Sequence, residues 1–552
     1  MPSPPTRSVS DHASLRGRTE PWGRAELALL ALFIAAALWL RVRGLSAEGF
    51  GDDEVHKWLA ANRYLKGDFS GDDVEHPMLM KSLIALTIAA FRPLGWAPET
   101  LTRLPNALAG GVSVGVVALL GRRLFGRAVG LWAAALAATS VTLIGYQRVA
   151  KEDTLLGLFV MLVCWCVAEA KAAADDGRTG AQRRWELGGA GALAGMMASK
   201  YFFFLTPIPV VFYLWVRGTD TAWRVPVKRW AQLIGLALPV WVCLNWTPFL
   251  PSTWEYAKSY ISGGQTVHGS LFFMGRIYHN LVEYTVLGTP PWFYLVFAAV
   301  KLTPATLVLA LTGLGLAVTE RRPAHRLLLS WMGVWFLVHS IFGSKWGRFF
   351  TSVMPAFLLL AAYAAALLVE RARRAWPRGA GAPLTAGAIA LVLVGGEAQA
   401  AVTHAPHDRL YISPVGGGDR EVTWYFPHCD YFDAGFREAI QFIAAHAEPY
   451  SEVSTEIDWP TLLYSERAGR FDLIPTLMRR GYTCRLGRVC YVVVQTGRLY
   501  FLNQEAVANL ARRTPWHVER IRDEVVVKVY RLEPGEMPFP DEAEGAAAAP
   551  PP

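Results

Sequence analysis

Residues 122–153 read RRLFGRAVGLWAAALAATSVTLIGYQRVAKED. Arginines open the stretch (Arg122, Arg123, Arg127), an apolar run follows to residue 145, and ions close it (Arg148, Lys151, Glu152, Asp153). The run is close to the roughly 20 residues that a helix needs to cross a bilayer. Charge at both ends and none between marks a span with its flanks in water, and the arginine-rich flank is the one that stays cytoplasmic.

The same pattern recurs on both sides. The expected spans are 26–42, 106–121, 127–145, 154–170, 187–199, 202–216, 231–249, 302–319, 327–342, 349–369 and 384–400. If the N-terminus is cytoplasmic, alternate loops should be basic. They carry Arg122, Arg123 and Arg127; Lys171, Arg178, Arg183 and Arg184; Arg217, Arg224, Lys228 and Arg229; Arg321, Arg322 and Arg326; and Arg371, Arg373, Arg374 and Arg378. Eleven crossings leave the C-terminal region outside.

Composition agrees. Of 552 residues, 53% are hydrophobic and 18% charged, against about 25% charged in a soluble domain. Such a chain is neither an ordinary cytosolic enzyme nor disordered. Its net charge of +9 is no sign of nucleic acid, because most of the basic residues up to position 400 lie in the inside loops.

The expected fold class is an α-helical polytopic membrane protein of about 11 spans with a C-terminal extracytoplasmic α/β or α+β domain. The expected organisation is a disordered cytoplasmic tail (1–24), a membrane domain (25–400) with a first outer loop at 43–105, an outer domain (401–532) and a disordered tail (533–552). The first span lacks a cleavage site and reads as an uncleaved anchor. Segment 78–95 would invert every later loop if it crossed, so it reads as an amphipathic surface helix. In the outer domain, 438–443 and 504–513 read as helices, and 489–494 and 525–530 as strands. Cys484 and Cys490 flank a short turn. A disulfide and a free pair of thiols both fit.

Candidate chemistry gathers on the outer side. The first loop holds Glu48, Asp52, Asp53, Glu54, Asp68, Asp72, Asp73 and Glu75. Asp68, Asp72 and Asp73, among Gly and Ser, read as solvated. Asp53 and Glu54 follow directly on the first span, where partial desolvation makes a carboxylate a better base. Glu75-His-Pro-Met-Leu-Met-Lys81 places His76 and Lys81 at the interface, to meet a phosphate or simply to snorkel. Arg148, Lys151, Glu152, Asp153, Lys200, Tyr201, Lys345 and Arg348 come from separate turns of the same face, as a site for a lipid-linked phosphate requires. His428, Asp430 and Asp433 are close enough in sequence to hold a metal; a structural segment is the other reading.

Asp53-Glu54, the His76-Pro77 stretch, Arg103-Leu-Pro105, Arg148 to Asp153, Ser199-Lys200-Tyr201 and Lys345 to Arg348 with Pro355 together resemble the motifs of GT-C superfamily membrane glycosyltransferases, which include protein O-mannosyltransferases and the lipid A aminoarabinose transferase. The similarity runs over about residues 26–370. The resemblance implies a cell-membrane enzyme that takes sugar from a polyprenyl-phosphate carrier and transfers it, with inversion, to an acceptor whose identity the sequence leaves open. It implies Asp53 as base with Glu54 beside it, and Asp153 orienting Arg148 or the acceptor. Lys200, Arg348 and Lys345 would neutralise the leaving phosphate, and Tyr201, His76 and Lys81 would contact donor. A divalent cation at the acidic cluster stays open, and so does a mobile lid in 251–290. The competing reading is a flippase for a lipid-linked sugar, which needs the same ionic cavity but no base.

Overall fold

A helix underlies each of the eleven apolar segments in the computed structural model, which describes residues 21–70, 74, 76–218, 223–261, 269–282, 284–285, 288–377 and 380–539. The N-terminal tail up to residue 20, Asp72, Asp73, Glu75, the glycine-rich part of the 251–290 segment and the end of the C-terminal tail lie outside the described residues. Of the described helices, six are long and apolar enough to cross a membrane: α1 (Arg24–Val42), α4 (Pro98–Phe125), α7 (Asp153–Asp175), and helices at Val227–Leu244, Met354–Ala375 and Gly381–His404. A seventh span forms if α5 (Arg127–Thr139) and α6 (Val141–Gln147), bent by 58° at their junction, count together. Two shorter apolar helices lie at Phe203–Arg217 and Pro304–Glu320. The segments at α8 (Thr179–Ser199) and Pro323–Ile341 are helical but do not meet the same criterion.

Apolar side chains face outward on these helices. Leu32 is 60% exposed on α1 and Leu391 75% exposed on the last apolar helix. Such surfaces suit a lipid solvent, which needs no polar outer face. In contrast, the apolar middle of α4 is mostly buried inside the bundle, with its charged side chains towards the two ends.

At one end of the bundle Arg103 of α4 meets the loop after α1, and Asn106 donates to the carbonyls of Val149 and, at 2.6 Å, Lys151. At the other end Arg123 of α4 pairs with Glu169 of α7. Glu26 at the start of α1 pairs with Arg127 at 3.3 Å, so the N-terminal side of the chain enters at this basic end.

Two helices follow α1 before α4: α2 (Asp52–Tyr64) and α3 (Met78–Phe91). The segment expected to form an amphipathic surface helix is α3. Its buried face carries Met80, Ile84 and Ile88, but Leu86 on the opposite face is 65% exposed. Both faces are therefore apolar, a departure from the expected polar outer face.

Residues 452–532 build a five-stranded sheet in the order β4-β3-β5-β7-β6. Strand β3 (Glu452–Thr455) runs parallel to β4 (Ile474–Leu477) and β5 (Cys490–Gln495); β7 (Glu524–Leu532) is antiparallel to β5 and to β6 (His517–Ile521). The valine-rich runs are β5 and β7, and their pairing aligns Val493 with Val529. Helices Phe436–His446, Asp458–Arg467 and Gln504–Leu510 accompany the sheet. Cys484 and Cys490 form a disulfide that closes the turn before β5. Upstream, a hairpin of β1 (Ser270–Phe273) and β2 (Arg276–His279) lies in the segment considered as a lid. Its turn is tied to residues 424–425 by backbone hydrogen bonds of 3.3 Å, and Phe273 stacks on Phe426.

The sheet region sits at the non-basic end of the bundle. Glu48, just after α1, accepts from Arg409 at 2.5 Å, and Lys301 pairs with Asp430 at 2.8 Å.

Candidate active site

Helix α2 begins at a run of three carboxylates, favoured there by the partial positive charge of a helix N-terminus. The three have different fates. Glu54 turns inward, is fully buried, and accepts from the backbone of Gly51 (2.9 Å) and Ala150 (2.8 Å) and from two nitrogens of Arg103 (2.9 and 2.5 Å). Arg103 spends its remaining donors on the carbonyls of Leu45, Glu48 and Gly49. Glu54 is thus the pin that fixes α2 to α4. Asp53 points the other way, is 38% exposed, and pairs with Lys151. Asp52 is partly exposed, and burial together with the nearby Asp433 carboxylate raises its pKa above the ordinary aspartate value.

The turn between α6 and α7 supplies the middle of the site. Lys151 is almost fully buried, and burial beside the cations Arg348 and Lys200 lowers its pKa well below that of a free lysine. Glu152 pairs with Lys57 of α2 at 2.9 Å and approaches His76 at 3.7 Å. Asp153 accepts from Lys200 at 2.7 Å and lies 3.4 Å from Arg348. Lys200, at the end of α8, also packs over the rings of Phe349 (4.0 Å) and Phe202 (4.4 Å). Burial outweighs its Asp153 partner and brings its pKa down to about 8. Arg348 lies over Trp346 at 4.6 Å and keeps a partly exposed edge.

The structure therefore brings Asp53, His76, Asp153, Lys200 and Arg348 into one ionic cluster. Three further residues join it: Lys57, Lys151 and Glu152. Lys57 escaped the sequence reading although it lies one helical turn from Asp53, a spacing that puts both on one face.

Other expected residues stand beside the cluster. Arg148 pairs with Asp408 at 3.2 Å and donates to the Gly44 carbonyl at 2.9 Å. Asp153 does not orient it; Lys200 and Arg348 take that carboxylate instead. Lys81 is buried and donates to the His76 carbonyl at 3.0 Å, which fixes the loop ahead of α3. The hydroxyl of Tyr201 accepts from Asn245 at 3.3 Å, and Asn245 accepts in turn from the Met78 backbone at 2.8 Å. Lys345 is buried and donates to the Phe342 carbonyl, with a pKa brought down to about 8 by burial.

The suggested metal site at His428, Asp430 and Asp433 does not form. Asp430 faces Lys301 and Tyr146 (2.8 and 3.2 Å), Asp433 faces Gln495 and Arg498 (2.7 and 2.5 Å), and His428 meets the Tyr500 hydroxyl at 3.0 Å. Among the described residues no group of three or more His, Cys, Asp or Glu is arranged to hold a metal ion. Among the described first-loop acids, Asp53 is met by Lys151 and Glu54 by Arg103.

Next to Lys151 and Arg348 a small cavity opens, with Tyr146, Arg409, Cys429 and Phe432 also in its wall. Buried ionic groups around a water-accessible carboxylate, at the rim of a lipid-facing bundle, suit a charged, membrane-bound substrate.

Comparisons with known proteins bear on the fold around this cluster. A family profile described as dolichyl-phosphate-mannose-protein mannosyltransferase matches residues 75–246, the stretch from the His76 loop to the helix preceding Pro248. No curated protein sequence matches. Among solved structures, ArnT from Cupriavidus metallidurans bound to undecaprenyl phosphate is similar, with a TM-score of 0.52 and 16% identity, over 91% of this chain and 98% of that chain. The Archaeoglobus fulgidus oligosaccharyltransferase gives a TM-score of 0.51 and 11% identity, over 85% of this chain and 69% of that chain. The fold is thus similar to that of these two membrane glycosyltransferases, and residues 75–246 match the mannosyltransferase profile.

Proposed function

We propose that the chain is an inverting glycosyltransferase that moves a sugar from a polyprenyl-phosphate carrier to an acceptor hydroxyl on a protein, lipid or glycan, at the outer face of the cell membrane. The observation that carries this reading is the division of labour in the ionic cluster: one accessible carboxylate, Asp53, beside cations supplied by separate elements. The similar ArnT structure holds undecaprenyl phosphate, a carrier lipid without its sugar, whose phosphate such cations would suit.

In the reaction the acceptor oxygen attacks the anomeric carbon from the side opposite the phosphate. Asp53 removes the acceptor proton, as inversion requires. The carbon–oxygen bond to the phosphate breaks, and Lys200 and Arg348 stabilise the charge that grows on the leaving group. Asp153 holds these two cations at a fixed spacing, so little reorganisation is needed at the moment of transfer. Lys151, in contact with Asp53, holds the carboxylate in place until the acceptor hydroxyl displaces it. His76, Tyr201, Lys345 and Lys81 shape the donor side of the pocket, and Arg148 and Glu54 hold its walls. The flippase alternative finds no support in the similar structures, which are glycosyltransferases.

The test is transfer from a synthetic polyprenyl-phosphate mannose by the purified chain and by Asp53→Asn. Loss of the base should lower kcat by about 10²–10⁴-fold. Undiminished transfer by the variant would remove Asp53 from the role. Lipid movement across vesicles with no transfer from any donor sugar would favour the flippase.

A further inference from the structure

The turn that joins Pro427–Tyr431 to the helix at Phe436 is wound against its chirality. Phe432 (φ 44°) and Asp433 (φ 64°) are consecutive non-glycine residues in the left-handed region. Each such residue costs of order 1–3 kcal/mol unless its surroundings over-determine it, and such strain concentrates at functional sites. The surroundings here are specific. Asp433 accepts from Gln495 (2.7 Å) and from two nitrogens of Arg498 (2.5 and 2.7 Å), all at the end of β5. Its second oxygen also accepts from the backbone N–H of Asp52 at 3.0 Å. That N–H belongs to the first turn of α2, one residue before Asp53.

The neighbouring ring makes the same contact sterically. A Cβ placed on Gly51 would come within 2.5 Å of the Phe432 ring, so the helix N-terminus sits against this ring only because residue 51 is glycine. Phe432 is also in the wall of the cavity with Lys151 and Arg348. Asp433 is fully engaged and Arg498 is buried, so neither is a solvated surface charge.

We infer that the sheet region is part of the catalytic centre: Asp433, braced by Arg498, is a positioning residue that sets the first turn of α2 and thereby the aim of Asp53. The inference rests on the proposed transferase reading for its kinetic consequence, but its structural half stands apart. Asp433 replaces an N–H partner that the first turn of any helix lacks, and it does so from a domain nearly 400 residues away in sequence. Domain and helix are thereby locked in one register, and displacement by 1 Å is enough to cost about 10² in rate at a catalytic group.

The experiment uses the full chain in detergent or nanodiscs. Hydrogen exchange of the peptide covering residues 50–58 is measured for wild type, Asp433→Asn and Asp433→Ala, together with transfer from polyprenyl-phosphate mannose. Asp433→Asn keeps an oxygen for the Asp52 N–H; Asp433→Ala removes it. The expected result is exchange at the start of α2 at least about tenfold faster in Asp433→Ala, with kcat down by about tenfold or more and donor KM within about twofold. Asp433→Asn should recover most of both. Gly51→Ala, made from the other side of the contact, should lower kcat in the same way, and adding Phe432→Ala should restore part of it. Unchanged exchange and kcat in Asp433→Ala would overturn the inference, as would equal damage by Asn and Ala. If wild type shows no transfer from any polyprenyl-phosphate sugar, the transferase reading fails, and the exchange results still decide whether Asp433 holds α2.

Discussion

At the scale of single residues, the site is a contest between burial and charge. Lys200 is a lysine whose pKa of about 8 is set first by burial, which disfavours the ammonium, and only then by Asp153, which favours it, and by Arg348, which does not. The sign follows directly. A lowered pKa leaves Lys200 charged below about pH 8 and neutral above, so the help to a leaving phosphate proposed for it would be present at neutral pH and fade as pH rises through 8. Lys345 is lowered to the same range. We therefore expect kcat/KM for the polyprenyl-phosphate donor to fall above pH 8, and expect the fall to move to higher pH when both lysines are replaced by arginine. A pH profile of initial rates checks this; a flat profile to pH 10 in wild type would refute it. The sequence disclosed the residue types here but not their partners. Asp153 is next to Glu152 in the chain, yet Asp153 serves Lys200 and Glu152 serves Lys57. Such pairings are set by side-chain direction across three helices, which motif spacing does not contain.

At the scale of elements, α2 is held at its start by two clamps from different sides. One is Asp433 on the Asp52 N–H. The other is Glu54 on Arg103, with both partners under 5% exposed. Removing one partner of a buried pair strands the other charge, at a cost of about 3–5 kcal/mol. Arg103→Leu should accordingly lower the thermal midpoint of the detergent-purified protein strongly. Adding Glu54→Leu should recover only part of the loss, because the N–H groups of Gly51 and Ala150 would then lack an acceptor, at about 1–3 kcal/mol each. Midpoints of the two variants measured side by side test this, and full recovery would show that the backbone bonds matter little. The element scale also shows where hydropathy reads well and where it does not. Positions of the apolar helices were legible because lipid-facing and buried helices are both apolar, so composition alone marks them. The 58° bend between α5 and α6 was not read, although Thr139 and Ser140 stand at the break and the Ser140 hydroxyl accepts from the Leu143 N–H to start α6. In the sheet, the valine runs of β5 and β7 were legible, whereas β3, β4 and β6 are short and lack clear alternation.

At the scale of the whole molecule, sidedness follows from which groups share an end. Glu26 and Trp22 at the start of α1 meet Arg127 and Arg122. Arg43, past the end of α1, donates to Ala401, and Glu48 accepts from His407 and Arg409. The start of α1 and the chain after residue 400 thus lie at opposite ends of this helix, in keeping with an odd number of crossings. Basic loops collect at the first end, and the ionic cluster with Asp53 lies at the second. Lysine and arginine in short loops resist translocation, so the first end should be cytoplasmic and the catalytic end outside, where the carrier lipid would be presented. Cysteine labelling decides it. Cys243 is exposed and is first replaced by Ser; the other free cysteines, Cys164, Cys166 and Cys429, are buried. Gly180→Cys then samples the basic end, at a position where a side chain meets nothing within 4 Å, and Glu466→Cys samples the exposed surface of the sheet region. An impermeant maleimide applied to intact cells should label the Glu466→Cys variant and spare Gly180→Cys until the membrane is opened. The reverse pattern would put Asp53 in the cytoplasm and would contradict transfer at the outer face.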